Sequence, residues 1–471
     1  MTFTATDAVK FFFDIVGVFF IIYLIGYSTF LLLSVIVGSS ELYIKRRQEK
    51  LKNVLIDNYY VPVSIIVPAY NEEITVAKTV QSLLYLDYKL YEIIVVDDGS
   101  KDDTAKKVID TFNLHPVSQP IRRCVKCKYE KFIYKGIVDG IPITLVSKEN
   151  GGKADSLNMG INVSKYPYFI CMDADSVLQY NSLTKIVQPV LDDTRVVAVG
   201  GAVRPSNDVE LENGRVNYYR MPKSILAGMQ VLEYDRSFLA ARMLFDKFNG
   251  NIIISGAFGL FRKDIVISAG GYDVSTMGED MELVVKLHVF CRENNIPYKI
   301  KYASNAICWS QAPEKLKDLR KQRRRWHIGL FQSMWKHKNI FANPKFGTVS
   351  FISYLYFLFY ELLSPYIEIF GIFTIILAFF FDLINVPFMI LFFLIYCAFG
   401  SILSITAFFA RIQTIDLNIS LKDALKALLL CGFEVGFLRF IIAFVRGTAF
   451  MGYKKKKLHW GKIERKDVNV K

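Results

Sequence analysis

Two apolar blocks enclose a long stretch of ordinary soluble composition, which limits the chain to a globular domain held between membrane segments. Residues 11–39 contain one acid, Asp14, and no base. That run exceeds the roughly 20 residues needed to cross a hydrocarbon core of about 30 Å. A cleaved signal peptide would have a shorter apolar region and a small-residue cleavage site. Here Lys45-Arg46-Arg47 follows instead, so the run reads as one transmembrane helix. Basic residues flank spans on the cytoplasmic side, which puts residue 41 onward in the cytosol and the amino terminus outside.

Past residue 345 the chain turns apolar again, with spans expected at 347–363, 365–382, 385–410 and 428–448. Residues 347–363 read equally as an interfacial segment, and 411–427 as an amphipathic helix in the interface. The expected division is 1–40 as the first membrane helix, 41–60 as a basic linker and 61–335 as the cytosolic domain. Residues 336–450 follow with three to four transmembrane or interfacial helices, then 451–471 as a basic tail. Four spans there would return 454–457 to the cytosol.

The net charge of +14 raises a nucleic-acid reading. Much of the surplus sits beside apolar spans, where it orients helices, so no nucleic-acid partner is expected. The seven cysteines are scattered, which fits a reduced compartment better than a disulfide framework. Cys124 and Cys127 are spaced as half a zinc site or a redox pair, but no second CxxC or histidine pair completes it. A local hairpin with two free thiols suits them better.

Inside 61–335, short β-branched runs alternate with helix-like stretches. Strands are expected at 63–67, 92–97, 143–147, 168–173 and 196–199, with a helix over 72–86. This is an α/β pattern, implying a mostly parallel, Rossmann-like sheet with helices on both faces. Ligands in such sheets gather at the carboxyl ends of the strands. Three of those ends run into Pro68-Ala69-Tyr70-Asn71-Glu72, Asp97-Asp98-Gly99-Ser100 and Asp173-Ala174-Asp175. Each alone is an ordinary turn or helix cap. Two carboxylates at i and i+2 leaving a strand can, however, share Mg²⁺ or Mn²⁺, which needs hard oxygen ligands and bridges the phosphates of a nucleotide sugar. Gly151-Gly152-Lys153 is no P-loop, because Ser147 stands where that pattern requires glycine. Downstream lie Ser255-Gly256-Ala257-Phe258-Gly259, Gly278-Glu279-Asp280 and Gln322-Arg323-Arg324-Arg325-Trp326. The acids at 279 and 280 double as a helix start, and the arginine run as a membrane-surface patch.

In this order, PAYNE, DDGS, GGKADSLN, DAD, SGAFGLFR, GED and QRRRW resemble the processive family-2 glycosyltransferases, the group of the cellulose, chitin, hyaluronan and poly-N-acetylglucosamine synthases. The resemblance covers about residues 61–335 and implies a cytosolic GT-A-like domain flanked by transmembrane helices, in a protein of the plasma membrane. It implies a hexosyltransferase that polymerises UDP-N-acetylglucosamine or UDP-glucose and moves the polysaccharide across the membrane. By the same resemblance Tyr70 and Asp98 meet the uracil, with Glu72 and Asp97 nearby. Lys153 helps bind the nucleotide, Asp173 approaches the ribose, and Asp175 with Asp173 holds the divalent metal. Asp280 is the implied general base on the acceptor hydroxyl. Arg323 and Arg325 would stabilise the leaving UDP, and Trp326 would stack on the terminal sugar of the acceptor. Ser255, Gly256, Ala257, Glu279 and Gln322 complete the acceptor side.

A single displacement on an α-linked donor inverts configuration, so a β-linked product without a sugar–enzyme intermediate is expected. A retaining mechanism is disfavoured by the resemblance alone. Ser176 departs from the histidine that cellulose synthases commonly place after DxD. The residues after 448 are too few for a folded regulatory domain, so regulation of that type in cis is not expected. Residues 112–140 read as an insertion without an assigned role. The alternative function is a nonprocessive enzyme that adds one sugar to a lipid acceptor, since the nucleotide motifs would serve it equally.

Overall fold

The computed structural model describes residues 5–52, 60–414 and 419–451, so most of the basic tail, including 454–457, and part of the linker lie outside the described residues. The soluble domain is built on twelve strands. These are β1 (Val63–Ala69), β2 (Tyr91–Asp97), β3 (His115–Pro116), β4 (Glu130–Val138), β5 (Ile141–Lys148) and β6 (Tyr168–Cys171). They continue as β7 (Val177–Leu178), β8 (Val196–Pro205), β9 (Glu210–Glu212), β10 (Arg215–Tyr218), β11 (Gly259–Arg262) and β12 (Lys299–Ser310). Ten form one sheet in the order β3-β4-β5-β2-β1-β6-β11-β8-β12-β7, and β9 with β10 makes a separate hairpin.

The heart of the sheet, β5-β2-β1-β6, is parallel as expected. Its strands are nearly continuous apolar runs because helices cover both faces. One face packs on the Val76–Leu83, Thr104–Phe112 and Ser182–Asp192 helices, and the other on Lys153–Val163 and Glu279–Glu293. The expectation of a mostly parallel sheet needs correcting, because β11 runs antiparallel between β6 and β8, and β3, β4 and β7 add antiparallel edges. Reversing direction at β11 is what delivers the 255–259 segment to the same end of the sheet as Asp173. The 112–140 insertion supplies the β3–β4 edge, and its CxxC loop docks on the Lys153–Val163 helix, where Asn162 Oδ1 accepts the amides of Cys124 and Val125, both at 2.9 Å. Both thiols are free.

Among the described residues three helical segments are long and apolar enough to cross a membrane: Val9–Arg47, Val386–Gln413 and Leu421–Gly447. The expected spans 347–363 and 365–382 are instead one broken unit, Val349–Leu362 and Ser364–Phe380, bent by 47° where Pro365 follows the break. Arg46 donates to Gln413 O at 2.6 Å, so the first helix and the Val386–Gln413 helix end together beside the domain. The last helix differs from the expected 428–448 span. It starts at Leu421 under a Ser420 cap, so 421–427 is its first turns and no separate helix. Both its ends hold the soluble domain, through Asp423 to Met221 N at 3.1 Å and through Arg324 to Ala449 O at 2.7 Å.

Candidate active site

The register Ala69↔Asp97 makes β1 and β2 end side by side, so the PAYNE and DDGS loops share one rim. Asn71 takes a left-handed turn (φ 55°), its N–H bonds Ser100 Oγ at 3.0 Å, and Glu72 N bonds Thr104 Oγ1 at 2.8 Å. Tyr70 is left 40% exposed on that rim. The Glu72 carboxylate accepts from Thr75 Oγ1, and buried Asp97 accepts from Ser100 N and Ser147 Oγ. Asp98, expected to meet the uracil, is buried behind that rim. It is 3% exposed, and its oxygens accept from Gly151 N at 2.9 Å, Gly152 N at 2.7 Å and Lys148 Nζ at 2.6 Å. Asp98 thereby clamps the glycine loop. Lys148, wholly buried, also pairs with Asp155 at 2.6 Å. Sequence reading missed Lys148, whose only signal was a lysine closing an otherwise apolar strand.

The clamped loop aims Lys153, the first residue of its helix, across the strand ends. Its ammonium pairs with Asp173, accepts company from Glu279 at 3.6 Å and donates to Gly256 O at 3.3 Å. Burial would lower the Lys153 pKa, but Asp173, Glu279 and Asp280 outweigh it and hold the amine firmly protonated. Asp280 Oδ2 accepts Gly256 N at 3.0 Å, and Oδ1 accepts Met281 N at 2.8 Å. Gly256 sits close under these groups, where a Cβ would stand 3.1 Å from Lys153 Nζ and 3.4 Å from Asp280 Cβ. Burial, with Asp280 adding to it, raises the Glu279 pKa against the pull of Lys153 and Arg325.

The QRRRW helix, Leu316–Lys336, reaches this floor through a second close approach, Gly329 against Gly278. Arg323, expected at the diphosphate, has its guanidinium gripped by Glu233 with two hydrogen bonds at 2.9 and 2.6 Å. Its face lies 4.6 Å from the Trp326 ring, which is 37% exposed. Glu233 and Gly329 were both overlooked in the sequence. A glycine inside a helix costs about 1 kcal/mol against alanine, and that mid-helix Gly329 was the available signal.

One cavity of about 360 Å³ gathers these groups. Lys153, Asp173, Ser255, Gly256, Ala257, Glu279, Asp280, Gln322, Arg323, Arg325 and Trp326 all line it, whereas Tyr70, Glu72, Asp97, Asp98 and Asp175 do not. It continues between the apolar helices past Tyr27, Tyr360, Glu361, Glu368, Arg439 and Arg446. Among the described residues no cluster of three or more His, Cys, Asp or Glu could hold a metal by itself. The Asp173–Asp175 pair expected to hold a cation has the chemistry for a small hard ion that takes one or two carboxylates and completes its shell with phosphate oxygens and water.

An α/β domain with strand-end acids, a basic tryptophan-bearing helix and a cavity leading into apolar helices is the build of a membrane glycosyltransferase. Residues 168–405 match the Glycosyl transferase family group 2 model and residues 64–126 match Glycosyl transferase family 2, so the chain belongs to the family-2 glycosyltransferases. It is 30% identical over 321 residues to poly-beta-1,6-N-acetyl-D-glucosamine synthase of Staphylococcus epidermidis, covering 66% of this chain and 67% of that protein. The Staphylococcus aureus (strain COL) protein of the same name is 30% identical over 312 residues, covering 65% of this chain. The matched stretch is 64% of the Staphylococcus aureus protein's length. The same fold occurs in the mannosyltransferase PcManGT of Pyrobaculum calidifontis, solved with GDP-Man and Mn²⁺, with a TM-score of 0.51 at 18% identity and coverage of 92% of this chain and 99% of that one.

Proposed function

We propose that the chain is a processive, inverting polysaccharide synthase that transfers hexose units from UDP-N-acetylglucosamine or UDP-glucose to a growing β-linked chain. The observation that carries this reading is the single cavity running from Asp280 and Trp326 to Tyr27 and Glu368 among the apolar helices. An enzyme that releases a short product needs no such path, whereas a polymer must be led away from the transfer point. The similarity to the staphylococcal synthases favours N-acetylglucosamine as the unit.

Asp280 would take the proton from the acceptor hydroxyl, held in place by its bonds to Gly256 N and Met281 N. Trp326 would offer its exposed face to the terminal sugar of the acceptor, with Ser255, Ala257 and Gln322 around it. Lys153 and Arg325 would stabilise charge developing on the departing UDP, while Arg323 and Glu233 would hold the tryptophan in line. Tyr70 would stack on the uracil from its exposed rim, and Asp98 would act through the glycine loop. A divalent cation on Asp173 and Asp175, Mg²⁺ or Mn²⁺, would neutralise the diphosphate when bound. Basic residues after the first helix favour a cytoplasmic catalytic domain at the plasma membrane.

The test is a panel of UDP-sugars scored for UDP release by the purified protein in detergent. UDP-N-acetylglucosamine or UDP-glucose should be consumed and metal chelation should stop the reaction. Absence of release from every UDP-hexose would refute the reading.

A further inference from the structure

The CxxC loop takes no part in the chemistry above, yet it is fastened to the helix that carries Lys153. Asp155, Asn158 and Asn162 fall on one face of the Lys153–Val163 helix, and each bonds the loop in turn. Asn162 accepts the amides of Cys124 and Val125 and donates to Val125 O at 2.8 Å and to Cys127 Sγ at 3.3 Å. Asn158 Nδ2 donates to Lys126 O at 3.3 Å, and the Asp155 carboxylate accepts Lys128 N at 3.2 and 3.1 Å. Asp155 is also the second partner of buried Lys148, whose first partner, Asp98, clamps the glycine loop. One carboxylate thus joins the residue after Cys127 to the ion pairs that hold Gly151 and Gly152.

The two thiols are unequally placed. Cys124 is exposed, Cys127 is half-buried, and the one Asn162 carboxamide touches both, at the Cys124 amide and the Cys127 sulfur. The other cysteines are buried or, at Cys397, set in an apolar helix, which leaves this pair to meet an oxidant. In a reducing compartment a disulfide of this spacing is a transient, sensing bond.

We propose that Cys124 and Cys127 form a reversible redox modification site whose closure weakens donor binding. The oxidant is a low-molecular-weight disulfide. The Cys124 thiolate attacks its S–S bond and expels one thiolate, then the Cys127 thiolate attacks the Cys124 sulfur and expels the other. Two electrons pass from the cysteine pair to the oxidant, and the two thiol protons end on the two expelled thiols. Closure takes the Cys127 sulfur away from Asn162 and from Arg123 Nη1 at 3.7 Å, so the adjoining Lys128 amide shifts against Asp155 and the clamp on the glycine loop slackens. The bond itself is independent of the synthase reading, whereas its effect on the donor rests on that reading.

The test equilibrates the full-length protein in lipid nanodiscs with reduced and oxidised glutathione at several ratios. Alkylation and peptide mass mapping locate the bond, and calorimetry follows the binding of UDP with Mg²⁺. An internal Cys124–Cys127 bond that dithiothreitol reverses should form, and UDP binding should weaken about fivefold or more with it. Cys127→Ser should bind UDP like reduced wild type at every glutathione ratio. Should that variant fail to fold, the exposed Cys124→Ser carries the same expectation. A glutathione adduct without the internal bond, or an internal bond with UDP binding unchanged or tighter, overturns the inference. A reversible internal bond in a protein whose reduced form binds no UDP would instead sink the synthase reading and leave the redox pair standing.

Discussion

Gly278 and Gly329 meet backbone to backbone, so that a Cβ on Gly329 would lie 2.7 Å from Gly278 Cα. This contact sets the distance between Asp280, two residues after one glycine, and Arg325 and Trp326, four and three residues before the other. Gly329→Ala must push the QRRRW helix away from the acid. Overpacking of this kind costs about 1–3 kcal/mol, and displacing catalytic groups by about 1 Å costs about 100-fold in rate. The expected outcome is a melting point a few degrees lower with a UDP-release rate reduced at least ~30-fold. A variant with wild-type rate would show that the helix does not need this approach.

Asp280→Asn keeps the shape and one acceptor oxygen for a backbone N–H, gives up the second such bond, and removes the base. UDP release with acceptor present should fall at least ~100-fold, while UDP-sugar binding by calorimetry stays within about threefold. Equal losses in binding and rate would place Asp280 with the donor instead.

Lys148→Met should destabilise the protein without touching the cavity. The lysine is wholly buried between Asp98 and Asp155, so its loss leaves two carboxylates facing each other out of water. Breaking such a pair costs about 3–5 kcal/mol. The glycine loop loses its clamp as well, so the KM for donor should rise more than kcat falls, as read from melting curves and initial rates.

Stability should decline on mild acidification. His288 is buried and neutral, bonded to Asn251 O at 2.8 Å and Tyr298 Oη at 2.7 Å, and burial pushes its pKa down to about 4. Above the ordinary histidine value of about 6.5 neither state gains a proton, whereas between that value and the folded one only the unfolded chain does. The loss therefore grows as pH drops through that window and levels off below it, by roughly 3 kcal/mol at about 1.4 kcal/mol per unit. His327 acts in the same direction, since burial, reinforced by Arg446, lowers its pKa to about 3. Melting curves of His288→Gln should show a shallower slope with acid than wild type, and an identical slope would remove His288 from the account.

The parallel heart of the sheet and the polar ends of its strands were legible because β1 and β2 are nearly continuous apolar runs stopped by turn residues. The antiparallel insertion of β11 was not, since four residues, Gly259–Arg262, carry no sign of strand direction. The acids and arginines that line the cavity were visible as motifs, yet their partners were hidden. Glu233 lies ninety residues before Arg323 and Lys148 fifty after Asp98, separations that only the folded chain closes. The ion pairs among the apolar helices left a readable trace, charges such as Glu368 and Arg439 inside hydrophobic stretches. The last helix could not be placed by hydropathy, because length and composition do not record that both ends bind the domain.

The most direct measurement is the size of what the enzyme makes. Purified protein in nanodiscs, given radiolabelled UDP-N-acetylglucosamine and Mg²⁺, should yield a ladder extending to high-molecular-weight β-linked polymer, absent with Asp280→Asn. A product limited to one sugar on a lipid, with UDP released in equal amount, would contradict the account.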